Sequence, residues 1–335
     1  MRTAFVTGAT GFIGRNLVTA LLERGCEVRC LVRSPDRSAH LRRDGVRLVP
    51  GTLADVGSWR QELRGCDAVL HAGGLVSAVR RSEFDAINGL ATGALADACA
   101  ALDTPPVFVY LSSLAAAGPG PAGREVRDER DAFAPVSAYG ASKLVGEQAL
   151  RARSDRLPVT SLQPGAVFGP ADPKILTLYQ MIDVARLHLP IGWRPVPLSL
   201  IHVADLADLV IAAADRGERM TADDDASGVY HACDDREHPT YSDLGRRIAR
   251  AIGRNVLVVP FPAPLAWPVV AFIEAFWNVL GQPSFVGLDK FREATAPSWA
   301  ASAAKARADL GFAPSAPLDE RLRQTGDWFR ANGLL

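Results

Sequence analysis

Short apolar runs alternate with amphipathic stretches along the first half of the chain. Each run is rich in β-branched or aromatic residues, which predicts a strand buried in a sheet. These predicted strands cover residues 2–7, 27–32, 46–49, 68–71, 107–112 and 159–163. Apolar residues at helical spacing predict helices between them, over about 12–22, 83–102 and 136–153.

Strands that alternate with helices form βαβ units, and right-handed crossovers arrange such units as a doubly wound parallel sheet, the Rossmann arrangement. Beyond residue 165 prolines cluster and the predicted strands become short. We therefore predict an α/β fold with two domains. Residues 1–165 carry the parallel sheet, and residues 166–335 mainly form a smaller C-terminal domain. A predicted helix at 203–216 returns to the first domain.

A glycine-rich turn joins the first predicted strand to the first helix. Gly8, Gly11 and Gly14 form a GxxGxxG pattern there. Glycine allows a tight turn and a close approach to a pyrophosphate, and the helix N-terminus offers free N–H groups to the same anion. In this strand–turn–helix context the pattern predicts that residues 1–165 bind a dinucleotide.

The end of the second predicted strand favours NADP over NAD. An acidic residue at this place binds the ribose 2′-hydroxyl of NAD, whereas Arg accommodates the 2′-phosphate of NADP. The chain has Arg33 there, and a guanidinium suits bidentate recognition of a phosphate. We predict NADP and leave NAD open, because Arg33 could instead stack on adenine.

Tyr139 and Lys143 lie four positions apart in a predicted helix and therefore share one face. A phenol has a pKa of about 10, and a neighbouring ammonium favours its phenolate. Such a tyrosine can exchange a proton with a hydroxyl or carbonyl while a nicotinamide exchanges a hydride. Ser113 follows the fifth predicted strand, at the edge where α/β sheets bind ligands.

Several segments together resemble the extended short-chain dehydrogenase/reductases, also called the NAD-dependent epimerase/dehydratase family. They are TGATGFIG at 7–14, HAGG at 71–74, Asn88, the serines 112 and 113, YGASK at 139–143, PGAVFGP at 164–170 and IHVAD at 201–205. The resemblance covers most of the chain. Its motifs are specific for the superfamily and poorly specific for the substrate.

This resemblance implies the roles of individual residues. The implied catalytic residues are Ser113, which orients the reacting oxygen, Tyr139, Lys143, and Asn88, which organises the site. The implied cofactor site is formed by Gly8, Thr10, Gly11, Phe12, Ile13, Gly14, Arg33, Leu53, Ala72, Gly73, Gly74, Tyr139, Lys143, Pro164 and Val167. One departure is Thr52, which replaces the Asp that binds adenine in the family. His71 and His202 are interpreted as structural, and Asp205 as a cap or bracket of the returning helix.

The expected substrate anchor of nucleotide-sugar members is missing. Those members often carry Arg-Asp-aromatic directly before the Ile-His-Val motif, and the Arg binds the diphosphate. This chain has Leu198, Ser199 and Leu200 there, and Gln163 replaces a second expected arginine. The resemblance therefore points away from a nucleotide sugar.

An apolar segment in the C-terminal half points to a hydrophobic substrate. No charged residue occurs from 255 through 273, although four prolines interrupt this stretch. We predict a strand at 256–259 and a helix at 265–280 that is apolar nearly all round. Such a helix is buried or meets lipid or a partner. We expect it in the domain core or a pocket wall, with contact to a membrane surface and a membrane span as alternatives.

The amino-acid composition argues against several other classes of protein. Lys and Arg together number 37, as do Asp and Glu, so there is no basic excess for nucleic acid. The five cysteines include no CxxC pair and form no Cys/His cluster, so we predict no metal and no disulfide framework. This composition favours the reducing cytoplasm, either free or at a membrane surface. A homodimer is left open.

These observations predict an NAD(P)-dependent oxidoreductase that interconverts an alcohol and a ketone. The apolar C-terminal region resembles the 3β-hydroxysteroid dehydrogenase-like branch, which implies a steroid, sterol, terpenoid or similar small hydrophobic substrate. One alternative is a nucleotide-sugar epimerase or dehydratase that keeps NAD tightly bound. A non-catalytic NADP sensor is a second alternative, which the Ser113, Tyr139 and Lys143 set disfavours.

Overall fold

A seven-stranded parallel sheet forms the centre of the computed structural model, which describes residues 1–282, 284 and 287–335. The strands are β1 (Thr3–Thr7), β2 (Glu27–Val32), β3 (Val46–Pro50), β4 (Ala68–His71), β5 (Val107–Leu111), β6 (Val126–Arg127), β7 (Val159–Pro164), β8 (Ala166–Phe168), β9 (Leu187–His188), β10 (Leu200–His202), β11 (Val229–Ala232), β12 (Leu257–Val258) and β13 (Ala300–Ala301). The α-helices are α1 (Phe12–Glu23), α2 (Arg81–Phe84), α3 (Ala91–Ala100), α4 (Leu114–Ala117), α5 (Ala138–Arg151), α6 (Pro173–Ala185), α7 (Val203–Arg216), α8 (Tyr241–Ala251), α9 (Ala263–Val279), α10 (Leu288–Ala294), α11 (Ala304–Leu310) and α12 (Leu318–Ala331).

The order of strands in the main sheet is β11-β7-β5-β4-β1-β2-β3, and every pairing is parallel. The direction of winding reverses between β1 and β4. In doubly wound sheets, ligands bind at the carboxyl ends of the strands beside this reversal. The predicted doubly wound parallel fold is therefore confirmed.

All six predicted strands of this sheet are observed, with ends that differ by one residue or none. The seventh strand, β11, was not predicted. The predicted helix 83–102 is observed as α2 and α3 joined by a π-helical segment, Asp85–Leu90. The predicted returning helix is α7, which packs against α1.

Side chains from alternate positions of the strands fill two hydrophobic layers, one on each face of the main sheet. Val6 contributes to one layer and its neighbour Phe5 to the other. A third cluster around α6, α8 and α12 forms a separate core in the C-terminal half, with Tyr179, Leu198 and Phe329 among its members. Burial on both faces explains why the strands are continuous apolar runs.

Helix α9 is not a core helix, so the expectation that it lies in the domain core is wrong, while its place in a pocket wall stays a prediction. Ala266 and Val270 are its only buried residues, and most of its large apolar side chains are exposed. Helical periodicity shows that a segment is apolar, but it does not show what covers it. Among the described residues, no helix combines the length and hydrophobicity needed to cross a bilayer.

Candidate active site

The glycine turn between β1 and α1 lies against the loop that follows β4. Gly8 has a φ of +71°, and a Cβ there would be 2.7 Å from the carbonyl carbon of Ala72. A Cβ at Gly14 would be 2.1 Å from the carbonyl oxygen of Gly8. Only hydrogen atoms fit at these positions. The close packing leaves a floor of bare backbone at the carboxyl ends of β1 and β4.

The N-terminus of α1 is open toward this floor. Gly11 precedes the helix, and within the residues described no side chain caps it. The first N–H groups of an uncapped helix can bind an anion. The turn and the helix together therefore fit a dinucleotide pyrophosphate.

Thr7, which is not among the predicted cofactor residues, fixes the loop beyond β4. Its hydroxyl accepts a hydrogen bond from the backbone N–H of Gly73 at 3.0 Å and pairs with His71 Nδ1 at 2.6 Å. His71 Nε2 pairs with the hydroxyl of Thr92 at 3.0 Å. Burial lowers the pKa of His71 to about 3, so the ring is neutral near pH 7. These contacts agree with the structural interpretation of His71, which stays a prediction.

The other predicted cofactor residues lie around the same floor. A Cβ at Gly73 would be 2.9 Å from Leu53 Cδ1, so Leu53 lies over this loop. Arg33 is exposed just beyond the end of β2, and Thr10 is exposed in the turn. The remaining predicted residues are Phe12 and Ile13 at the start of α1, Ala72 and Gly74 after β4, Pro164 at the end of β7 and Val167 in β8.

Tyr139 lies in the first turn of α5, close to Ser113. The two helices that carry these residues approach closely, since a Cβ at Gly140 would be 2.2 Å from the carbonyl oxygen of Ala115. Burial raises the pKa of Tyr139 to about 12, and a hydrogen bond with the Ser113 side chain acts in the opposite direction. The phenol therefore keeps its proton near pH 7, because burial outweighs the stabilisation of the phenolate that the sequence predicts.

Lys143 is buried one turn further along α5. Its Nζ lies 4.4 Å from the ring centroid of Tyr110. Burial lowers the pKa of Lys143 to about 7, and the Glu147 carboxylate acts in the opposite direction. Glu147 is itself buried and accepts hydrogen bonds from Ser161 Oγ at 3.1 Å and Gln163 Nε2 at 2.9 Å. Glu147 was not predicted, although its spacing of four from Lys143 is a visible signal.

Asn88 connects the loop after β4 to α5. Its Oδ1 accepts a hydrogen bond from the backbone N–H of Leu75 at 2.8 Å. Its Nδ2 donates to the carbonyl of Leu75 and to Ser142 Oγ, both at 2.9 Å. Asn88 stands on the π-helical segment, and such segments are frequent at functional sites. The structure gives Asn88 an organising position beside Gly74 and Lys143.

Helix α10 covers the start of α5, a contact that the sequence does not reveal. Asp289 Oδ2 accepts hydrogen bonds from the backbone N–H groups of Ala138 at 2.9 Å and Tyr139 at 3.4 Å. Lys290 Nζ lies 4.9 Å from the ring centroid of Tyr139 and 2.6 Å from Glu293 Oε2. Tyr139 is therefore held by its own helix and by the C-terminal half.

The residues of the Ile-His-Val-Ala-Asp segment have structural positions. His202 precedes α7 and its Nδ1 accepts a hydrogen bond from the N–H of Ala204 at 3.3 Å. Burial lowers the pKa of His202 to about 4, which agrees with its structural interpretation. The buried Asp205 pairs with Arg321 at 2.6 Å and Ser315 Oγ at 2.5 Å, so it fastens the C-terminal region to α7.

A doubly wound sheet, a bare dinucleotide floor and the Ser113, Tyr139 and Lys143 group at its edge define a nicotinamide-dependent enzyme. Comparison with known proteins gives the family. A model described as "NAD dependent epimerase/dehydratase family" matches residues 4–226, and the chain belongs to this family. It is an NAD(P)-dependent enzyme of the extended short-chain dehydrogenase/reductase type, as predicted.

Two curated relatives and one solved structure illustrate the likeness. A ceramide reductase from Caulobacter vibrioides is 30% identical, over 98% of this chain and 95% of the relative. A 4-hydroxy-2-methyl-3-oxo-4-farnesyl-3,4-dihydroquinoline-1-oxide ketoreductase from Stigmatella aurantiaca is 33% identical, over 65% of each chain. The solved structure of a Thermus thermophilus UDP-glucose 4-epimerase complex with NAD shares the fold, with a TM-score of 0.75 and 23% identity. The match covers 98% of this chain and 99% of the epimerase chain. The narrower 3β-hydroxysteroid dehydrogenase-like branch stays a prediction.

Proposed function

We propose that this enzyme reduces a ketone to an alcohol on a hydrophobic, lipid-like substrate, with NADPH as the electron donor. The observation that carries the proposal is the burial of Leu198 and Leu200 in the third hydrophobic cluster. The resemblance places the diphosphate-binding arginine of nucleotide-sugar members here. A diphosphate that lost water without a cationic partner would pay a large desolvation cost.

The relatives support a hydrophobic ketone rather than a sugar. The ceramide reductase is named for a lipid, and its likeness extends over the C-terminal half as well as the nucleotide-binding half. The Stigmatella ketoreductase is named for a substrate that carries a farnesyl chain. Both names describe reduction on an apolar skeleton, so long-chain lipids and terpenoids are the substrate classes to test first, followed by sterols.

The exposed backbone at the carboxyl ends of β1 and β4 indicates where the cofactor would bind. Gly8, Gly14 and Gly73 would lie against the pyrophosphate, and Lys143 would hold the nicotinamide ribose. When bound there, the nicotinamide cofactor supplies the hydride for the reduction. Arg33 is exposed, and no carboxylate pairs with it in the described parts of the chain, so its guanidinium is free to bind a 2′-phosphate.

The chain's own residues supply the proton. Tyr139, with a pKa of about 12, is protonated near pH 7 and donates this proton to the carbonyl oxygen as negative charge develops there. The Ser113 hydroxyl donates a hydrogen bond to the same oxygen and orients it. The Lys143 ammonium stabilises the phenolate that remains. Because the pKa of Lys143 is about 7, the ammonium is present below that pH and is lost above it, and activity should fall as pH rises.

The test is NADPH oxidation, followed by absorbance, with a panel of candidate substrates. We expect turnover with long-chain, terpenoid or sterol ketones and none with UDP-glucose. Mass spectrometry should show the corresponding alcohol. Isolation of the enzyme with tightly held NAD, together with interconversion of UDP-sugars and no net NADPH consumption, would instead establish the epimerase alternative.

A further inference from the structure

The outward side of α9 is a continuous apolar stripe. Leu265, Val269, Phe272, Phe276 and Val279 follow one another at spacings of four and three, so they lie on one face of the helix. Each of these side chains is more than half exposed, and Phe272 is 73% exposed. Isolated apolar residues are normal on a protein surface, but a contiguous apolar patch marks an interaction site.

The patch continues onto the strand that leads into α9. Leu257, Val259 and Phe261 are also exposed. The N–H of Gly192 donates to the carbonyl of Phe261 at 2.8 Å, which places Trp193, 71% exposed, beside the start of the helix. We call this patch the α9 surface, formed by Trp193, Leu257, Val259, Phe261, Leu265, Val269, Phe272, Phe276 and Val279.

Basic residues lie at the edge of the α9 surface. The side chains of Arg186 and Arg254, which line an open depression with Leu257, share the single carboxylate of Asp183 at 3.8 and 2.8 Å. Arg194 is exposed next to Trp193 and forms no ion pair within the residues that the structure describes. The edge therefore carries an excess of positive charge.

Acidic charge is absent from the apolar patch itself. The sequence from 255 through 273 has no charged residue, and the first acid after it, Glu274, accepts a hydrogen bond from the backbone N–H of Leu288 at 2.6 Å. A bilayer offers an apolar interior for the stripe and anionic headgroups for the arginines.

We infer that the enzyme binds through the α9 surface to a lipid bilayer that contains anionic lipid, with α9 lying in the plane of the membrane interface. Aromatic side chains such as Trp193 and Phe272 suit the boundary between headgroups and acyl chains. The interaction is peripheral, because the helix is too short to cross the bilayer.

Seating on the bilayer would bring the active site to the membrane. Glu274 of α9 holds the start of α10, and Asp289 of α10 holds the backbone of Tyr139 at 3.4 Å. Helix α9 is thus connected through α10 to Tyr139, the proposed proton donor. The membrane would then lie beside the helix that covers Tyr139, close to the site of a lipid ketone's reduction, a consequence that rests on the proposed function.

Vesicle flotation without any substrate tests the inference. We expect the enzyme to float with vesicles of phosphatidylcholine and phosphatidylglycerol, and to bind phosphatidylcholine alone several-fold more weakly. The double variant Phe272→Ser with Phe276→Ser should lose roughly tenfold or more of the binding, since affinity scales with buried apolar area. Arg194→Glu should lose about fivefold or more on the anionic vesicles only.

The matched control is Leu90→Ser, which removes an exposed apolar side chain from the nucleotide-binding half and should bind vesicles as the parent does. Each variant should still reduce a short water-soluble ketone at nearly the parental rate. Absence of binding to either kind of vesicle would overturn the inference. So would a dimer, seen by light scattering, that the double variant converts to monomer without any vesicle binding. Because flotation needs no turnover, its failure is distinguishable from failure of the proposed reduction.

Discussion

Replacement of Gly14 by Ala tests the dinucleotide floor. A Cβ at this position would be 2.1 Å from the carbonyl oxygen of Gly8 and 2.8 Å from the Cα of Ala9. Ordinary van der Waals contact begins near 3.4 Å, so the turn or the helix must move by about 1.3 Å. Both contacted atoms belong to backbone, which cannot rotate away as a flexible side chain can.

The free-energy cost of the substitution depends on how the protein relieves the overlap between the added Cβ and the backbone of the turn. Overpacking of this kind typically costs about 1–3 kcal/mol. A shift of the turn would also strain the hydrogen bond from the N–H of Gly11 to the carbonyl of Gly8, now 2.9 Å long. Because NADPH binding requires the turn in its original position, binding must restore the overlap that the free variant relieves, and we expect the affinity for NADPH to fall by roughly 10- to 100-fold, at about 1.4 kcal/mol for each factor of ten.

Gly57→Ala is the matched control in the same half of the chain. Its Cβ would meet only Asp55 Oδ1 at 3.7 Å, and its backbone has no positive φ. Titration of intrinsic fluorescence with NADPH gives the Kd of each variant, and circular dichroism checks that each is folded. A folded Gly14→Ala protein that binds NADPH as tightly as the parent would refute the assignment of this turn to the cofactor.

Three further predictions concern the neighbours of the site. Glu147→Gln removes the carboxylate that raises the pKa of Lys143, so this pKa should fall below about 7. The loss of kcat/KM at alkaline pH should therefore move to lower pH. An unchanged pH profile would show that Glu147 does not act through Lys143. Arg33→Asp should shift the ratio of kcat/KM values from NADPH toward NADH, and an unchanged ratio would mean that Arg33 does not contact the 2′ group. Asp289→Ala removes the acceptor for the N–H groups of Ala138 and Tyr139. The free energy of unfolding should fall by about 1 kcal/mol, and kcat should fall as well. A variant with the parental Tm and kcat would show that Asp289 does not position Tyr139.

The parallel sheet and the glycine turn were predictable because their signals are local. Each central strand is a short apolar run, and Gly8, Gly11 and Gly14 stand directly between a strand and a helix. Tyr139 and Lys143 were visible for the same reason, through their spacing in one helix. The partner of Lys143, Glu147, follows the same spacing and could have been found.

Other features depend on contacts between distant parts of the chain. Asp289 holds Ala138 across 151 positions, and no local pattern indicates such a pair. Strand β11 joins the sheet by pairing with β7, which lies far from it in the sequence. The exposure of α9 was predicted only as an alternative, because an apolar helix has the same sequence pattern whether protein, lipid or a second chain covers it.

The proposed reduction of a hydrophobic ketone depends on Tyr139 as the proton donor, and the Tyr139→Phe variant examines that role. The phenyl ring keeps the packing and removes only the transferable proton. With NADPH and the best hydrophobic ketone of the panel, we predict that the variant retains the parental Kd for NADPH while kcat falls about 100-fold or more. A Tyr139→Phe enzyme that forms the alcohol at nearly the parental rate would show that Tyr139 is not the proton donor.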